Sequence, residues 1–501
     1  MEFLANILIG FQVAFQPINL LYCFFGVFLG TLIGVLPGIG PSGTIAILLS
    51  VTFKISPVSA IILLSGIYYG AMYGGSTTSI LVNIPGEAAS VVTCLDGHQM
   101  ARQGRAGPAL GIAAFGSFIA GTFSVICLMF LAYPLSQFAL AFGPPEYFSL
   151  IILGITILTY LSQKSIVKAF MTATLGFLLS FVGVDIITGK PRYTFGIPTL
   201  MEGLGILPIA MGLFGIGEVL INLDAPGEKT ILKTKLRNLL PSLQDWKDSY
   251  KAIARGSLLG FLIGIIPGGG AVLAAFASYG IEKRCSKHPE RFGHGAIEGV
   301  AGPESANNAA FGGGLVPLLS LGIPPSLVCA LLFAALMIHG IQPGPFLIPD
   351  HPDVFWGMVA SMYLGNIMLL VINIPLIGLW VQVLKIPSRL LLPLIILFCI
   401  VGVYSINSSF FDVGMMMLFG VLGYLMIKFD YEPAPLVFAF VLGPIMEQGL
   451  RQSLSLSGGS FLIFFTRPVS VTLLSLSGLV LLSYIFFKKQ REVLDEREKL
   501  V

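Results

Sequence analysis

The 501-residue chain carries 28 Lys and Arg against 25 Asp and Glu, a charged fraction of 11% beside 55% apolar residues and a mean hydropathy of +0.90. Soluble domains carry about 25% charge, so a soluble globule and a disordered chain are both excluded. A net charge of +3 provides no broad basic face and excludes nucleic acid as a partner. A polytopic protein of the lipid bilayer remains, with about half of its charges crowded into residues 223–255, 282–298 and 488–499.

Met1-Glu2-Phe3 has no positive n-region and no small-residue cleavage site after it, which predicts that no signal peptide is removed. Apolar runs follow at 18–36, 57–83, 108–133, 146–162, 165–184, 203–222, 254–281, 302–320, 323–341, 353–382, 388–404, 409–428, 434–449 and 469–487. Several are too short or too broken by Gly and Pro to cross cleanly, so about 10–14 helical elements are expected. The runs are long and continuous, unlike the alternating segments of a β-barrel.

In the first run, residues 26–40 read GVFLGTLIGVLPGIG. Gly26, Gly30 and Gly34 share one helix face and permit close approach of another backbone. The Pro-Gly-x-Gly after them does not continue a regular helix. The second run ends in GGSTTSILVNIPGE at 74–87, four hydroxyls in an apolar segment, and leads into a polar loop carrying Glu87, Asp96, His98, Arg102 and Arg105. Asp185, Glu202, Glu218, Asp412 and Glu447 fall near segment ends, where interface placement requires no special role, and His339 reads as an interface histidine. The basic stretch from Lys229 to Arg255, with Trp246, predicts a cytoplasmic central loop and a short amphipathic helix on the membrane surface.

Residues 256–270, GSLLGFLIGIIPGGG, repeat 26–40 at an offset of 230, and Gly74-Gly75 and Ile84-Pro85 recur as Gly313-Gly314 and Ile323-Pro324 at an offset of 239. Two ordered blocks in each half predict an internal duplication. Residues 302–308, GPESANN, add a carboxylate and two amides beside the second block. Lys488-Lys489-Gln490-Arg491 directly follows an apolar run, which predicts a cytoplasmic C-terminus.

Broken helices at corresponding positions of two halves point to a transporter binding site. The candidate substrate contacts are Ser76, Thr77, Thr78, Asn83, Ser305, Asn307 and Asn308, with backbone at Gly38, Gly40, Gly268, Gly269 and Gly270. Amides and hydroxyls at half-helix N-termini suit a carboxylate, and carbonyls at half-helix C-termini suit Na⁺. Glu304 is expensive in a membrane unless paired or functional; cation ligand, protonation site and helix cap all fit it, and it leads for ion coupling.

Enzyme signatures are missing. GxGxxG at 38–43 follows a membrane helix rather than a strand, 183–190 departs from a Walker A loop, and HExxH and GxSxG do not occur. The six scattered cysteines form no CxxC pair and read as apolar filler. The expectation is therefore no catalytic residue, no resident metal and no cofactor, only a coupling ion, Na⁺ or H⁺. The alternatives are a membrane-embedded enzyme using Glu304, Asp96 and His98, and a passive anion channel.

With these blocks together, the chain resembles the large membrane permease subunit of the tripartite tricarboxylate transporters, the TctA family. The matching stretches are 34–41, 74–87 with Asp96-Gly97 and 104–107, 266–270 through Glu282-Lys283-Arg284, and 299–308 with Gly322-Ile323-Pro324. Pro325 stands where that family has glycine, and residues 346–501 match in character only. The resemblance implies a secondary transporter in a bacterial inner membrane, importing tricarboxylates or related carboxylates by alternating access. It also implies a periplasmic solute-binding protein and a small four-helix membrane subunit as partners. The expected fold is all-α, with two repeats in inverted topology: 1–222 as the first membrane repeat, 223–255 as a charged cytoplasmic linker, 256–487 as the second repeat with added C-terminal helices, and 488–501 as a cytoplasmic tail.

Overall fold

The computed structural model describes residues 2–36, 40–160, 165–185, 187–224, 239–383 and 388–498. Gly38, residues 225–238 of the charged linker and the last residues of the tail, 499–501, lie outside the described residues. The chain is helical almost throughout. The helices are α1 (Glu2–Ala14), α2 (Pro17–Val35), α3 (Pro41–Thr52), α4 (Pro57–Val82), α5 (Val91–Arg102), α6 (Ala106–Ala139), α7 (Pro144–Tyr160) and α8 (Ile166–Ser180). A two-stranded hairpin, β1 (Gly183–Val184) and β2 (Pro191–Arg192), precedes α9 (Ile206–Ala210) and α10 (Gly217–Asp224), which a π-helical segment at Met211–Ile216 joins. Then come α11 (Leu243–Ile265), α12 (Gly270–Cys285), α13 (Glu298–Leu321), α14 (Leu327–Ile338), α15 (Leu347–Asp350), α16 (Pro352–Asn373), α17 (Ile377–Val383) and α18 (Ser388–Asn407). α19 (Phe410–Lys428), α20 (Ala434–Leu456), α21 (Ile463–Thr466) and α22 (Pro468–Glu498) complete the chain.

Among the described residues, six helices are long and apolar enough to cross a membrane: Pro17–Val35, Pro57–Val82, Ala106–Ala139, Ile206–Leu223, Pro352–Asn373 and Phe410–Lys428. Large apolar side chains such as Phe170, Leu258, Leu397 and Leu479 are exposed, as lipid-facing residues of a multi-pass protein are. Contacts divide the chain into two units, one of Met1–Gln137 with Gly205–Leu425, the other of Phe138–Leu204 with Met426–Val501.

In the larger unit, glycine spacing decides which helices pair. A Cβ at Gly26, Gly30 or Gly34 of α2 would run into the backbone of Leu63, Ile67 or Ala71 of α4, so the two helices touch main chain to main chain. α11 lies on α13 in the same manner: a Cβ at Gly256, Gly260 or Gly264 would strike the backbone at Gly302, Ala306 or Ala310. Both glycine ridges end at a break. α2 stops at Val35, and α3 opens from Gly40 with Pro41 at its first position. α11 stops at Ile265, and the chain turns through Gly268 and Gly270, whose φ of 79° and 53° only glycine adopts readily.

The expected surface helix around Trp246 is instead the opening of α11. A capping box between Ser242 and Asp245 starts the helix, and nothing breaks it before Ile266, so the basic stretch runs into the apolar one.

In the smaller unit, α20 packs on α7 and α8, and α22 on α7. The hairpin pairs Gly183 with Arg192 and Val184 with Pro191, antiparallel. Its ion network holds two of the five segment-end acids of the sequence: Arg451 spans Asp185, at 2.9 Å to each oxygen, and Glu447, at 3.1 Å. Arg192 grips Glu447 with two bonds of 2.7 and 3.1 Å. Hydrogen bonds from the Thr188 hydroxyl and the Ile187 N–H, then Arg451, hold the Asp185 carboxyl well below the usual carboxylate range.

Candidate functional site

The long helices α4 and α13 are buried along nearly their whole length, and both carry polar side chains in place of a dry core. Glu304 of α13 is fully buried. One carboxylate oxygen accepts a 2.6 Å bond from the Ser76 hydroxyl of α4 and a 3.4 Å bond from the Asn307 amide one turn along. The other accepts from the Thr93 hydroxyl of α5. Among the described residues, none of the ion pairs involves Glu304. A buried carboxylate is thus held by neutral donors, with no cation opposite its charge.

The backbone around Glu304 is held as well. Asn308 donates to the Ser117 hydroxyl of α6 at 2.8 Å, to the Glu304 carbonyl at 3.0 Å and to the Asn307 amide oxygen at 2.5 Å. Ser117 in turn donates to the Glu304 carbonyl at 3.4 Å. A cleft reaches this cluster. Tyr73, Ser76, Thr77, Ser117 and Asn373 line it with polar atoms, and Leu110, Leu239, Ile374 and Ile377 form much of its apolar wall.

The sequence candidates distribute unevenly. Ser76 and Asn307 meet at Glu304, Asn308 stands beside them, and Thr77 lines the cleft. Ser305 is fully buried, and its hydroxyl has no partner. Thr78 donates instead to the carbonyl of Val35, at 2.8 Å, and ties α4 to the end of α2. Asn83 is exposed and closes α4 in a left-handed conformation, φ 59°. The backbone candidates have partners of their own: Gly40 N–H donates to Glu218 at 2.9 Å, Gly268 N–H to the Pro325 carbonyl at 2.8 Å and Gly269 N–H to the Ile266 carbonyl at 2.9 Å. Gly270 begins α12.

Four residues at the cluster escaped the sequence reading: Thr93, Ser117, Tyr73 and Asn373. Asn373 carried a legible signal, an amide in the apolar run VINIP just ahead of Pro375. Thr93 and Ser117 carried none, because α5 and α6 reach Glu304 through tertiary packing. Glu218 also proves engaged, at the Gly40 amide just ahead of α3.

Glu87 and Asp96 do not sit in a solvated loop. Glu87 is 8% exposed and caps the short helical turn Ala88–Ser90, accepting from Ala89 N–H at 3.0 Å. Asp96 is fully buried in α5; one oxygen accepts the N–H groups of Gly293, Gly295 and Ala296 at 2.9, 2.8 and 2.8 Å, the other the Tyr279 hydroxyl at 2.9 Å. His98 contacts the Ile80 carbonyl through Nδ1 at 3.1 Å. Asp96 therefore clamps a loop, on partners separate from those of Glu304.

Comparison with known proteins agrees with the arrangement of motifs. Residues 20–438 match the tripartite tricarboxylate transporter TctA family. An uncharacterized 52.8 kDa protein in the TAR-I ttuC′ 3′ region of Agrobacterium vitis is 51% identical over 475 residues, 95% of each chain. A second uncharacterized protein, in the TAR-II ttuC′ 3′ region of the same organism, is 53% identical over 221 residues, 44% of this chain and 91% of that one. No solved structure matches.

Proposed function

The chain belongs to the tripartite tricarboxylate transporter TctA family, and from that premise we propose that it is the permease of a binding-protein-dependent secondary transporter that imports a carboxylate down an ion gradient. The observation that carries this reading is Glu304, a carboxylate buried among hydroxyls and amides, whose donor Ser76 lines a cleft, with no basic side chain beside it. Such a group holds a coupling ion, Na⁺ or H⁺, and is neutralised when the ion arrives. A membrane-embedded enzyme is disfavoured because Asp96 and His98 are engaged elsewhere.

The packing of α2 on α4 and of α11 on α13, each through a four-residue glycine spacing and each ending in a break, supports two repeats, whose topology we propose to be inverted. The cargo would bind near the midplane between the two breaks, and alternating access would carry it across the bacterial inner membrane, while Ser76 and Asn307, both bonded to Glu304, serve the coupling ion. A periplasmic solute-binding protein would deliver it, and a small four-helix membrane subunit would complete the complex, with the C-terminus of this chain in the cytoplasm. Reconstitution in proteoliposomes with both partners tests the reading. The expected result is accumulation of a labelled carboxylate only under an imposed inward Na⁺ or H⁺ gradient. Downhill equilibration that no ion gradient alters would make the protein a channel, and no uptake of any carboxylate in a panel would overturn the assignment.

A further inference from the structure

The cleft that meets the Glu304 cluster at Ser76 and Ser117 has a composition of its own. Its polar lining is oxygen-bearing: the Tyr73 phenol, the Ser76, Thr77 and Ser117 hydroxyls and the Asn373 amide, with no Lys, Arg or His among the lining residues. Two of these groups are at least nine-tenths buried and unpartnered, the Tyr73 hydroxyl, in a residue 4% exposed, and the Asn373 amide oxygen, in a residue 5% exposed. The orientation of Asn373 is fixed, because its Nδ2 donates to the Leu369 carbonyl at 3.0 Å and a flipped amide would set two oxygens against each other there. The atom left without a partner is therefore an acceptor. Asn373 is also the last residue of α16, so the negative end of that helix dipole lies at the cleft.

We propose that this cleft is a Na⁺ site leading to Glu304, with the Asn373 amide oxygen and the Tyr73 hydroxyl as ligands, so that Na⁺ and not a proton is the coupling ion. The proposal rests on the permease reading only in naming the ion as the coupling one. Oxygen acceptors and a helix C-terminus suit a hard cation, whereas an anionic cargo entering here would meet the Glu304 charge one hydroxyl away. A single carboxylate matches a monovalent cation; divalent sites gather several. Protonation of Glu304 would require the carboxylate alone and would leave the Asn373 acceptor and the dipole end without a function.

The test uses the full chain in nanodiscs, with thermal unfolding followed in NaCl, KCl and choline chloride at constant ionic strength and fixed pH, and with ²²Na⁺ binding measured in parallel. Saturable stabilisation by Na⁺ alone is expected. Asn373→Ala should raise the Na⁺ concentration for half-effect by about tenfold, and Tyr73→Phe by several-fold, each read against that variant's own midpoint in choline. Asn373→Asp should retain the Na⁺ response, and Glu304→Gln should abolish it. If Glu304→Gln fails to fold, the Asn373 and Tyr73 variants carry the test. Absence of any Na⁺-specific effect on the wild-type chain, or an unchanged Na⁺ response in both Asn373→Ala and Tyr73→Phe, overturns the site. Carboxylate uptake driven by a proton gradient and indifferent to Na⁺ would overturn this inference and leave the permease standing. Na⁺ binding without carboxylate uptake would do the reverse.

Discussion

Two buried carboxylates, Glu304 and Asp96, differ in what surrounds them, and the difference separates an acid available for work from one locked in place. Asp96 accepts three backbone N–H bonds and a phenol, a full set for a structural anion that ties α5 to the loop before α13. Asp96→Ala leaves those donors unpaired and should destabilise the protein by about 3 kcal/mol, read as thermal unfolding in detergent, with transport per folded molecule preserved. Glu304 rests on two hydroxyls and one long amide bond, donors that a cation's arrival could redistribute. Thr93→Val keeps the shape and removes one donor; we expect a normal fold and about a tenfold change in the ion dependence of uptake. Unchanged ion dependence would take Thr93 out of the site. Glu304, Ser76 and Asn307 were legible in the sequence because polar groups in apolar runs stand out. Thr93 was not, since a threonine in α5 says nothing of a carboxylate 211 positions further on.

At the scale of elements, the glycine spacing was the most legible feature of the chain, and it marks the two helix pairs that meet backbone to backbone. A methyl group at Gly30 would meet the Ile67 backbone and one at Gly260 the Ala306 backbone, neither of which can turn aside. Gly260→Val should therefore cost about 3 kcal/mol or more and appear as loss of the monodisperse peak in detergent, while Gly280→Val, where space is open on α12, should be tolerated apart from its helix propensity. Two element boundaries were hidden. The run 353–382 reads as one segment but stops as a helix at Asn373, because Pro375 has no N–H to extend the ladder, and the stretch around Trp246 reads as a separate helix where Ser242 starts a longer one. The β-hairpin was hidden as well, its strands being two residues each; a charge network holds it. Because partners depress the Asp185 pKa, its contribution is fully in place above the ordinary carboxylate range and fades only as the pH falls below it. Proteolysis of the hairpin should be unchanged from neutral to mildly acidic pH, whereas Asp185→Asn should expose it throughout.

For the molecule as a whole, hydropathy sufficed to place the chain in a membrane, while the division into contact units is a tertiary property that no local pattern announces. Within the smaller unit the helix ends can be sorted. The Lys168 ammonium donates to the Phe429 carbonyl at 2.7 Å, so the start of α8 lies beside the residues after α19, and the hairpin lies beside the last turns of α20. If the basic tail is cytoplasmic, as we propose, a cysteine at Lys168 in a Cys285→Ser background should react with an impermeant maleimide from the cytoplasmic side. One at Phe195, 85% exposed in the loop after the hairpin, should react from outside. The opposite pattern would invert the proposed orientation. The Glu304 cluster, finally, bears on how the chain is made. Its hydroxyl donors are translated long before the acid, Ser76 by 228 residues and Thr93 by 211. By the time α13 leaves the ribosome both hydroxyl donors have been made, so its buried carboxylate need never face lipid without a partner, and the order of synthesis becomes part of how the chain bears a carboxylate in its core.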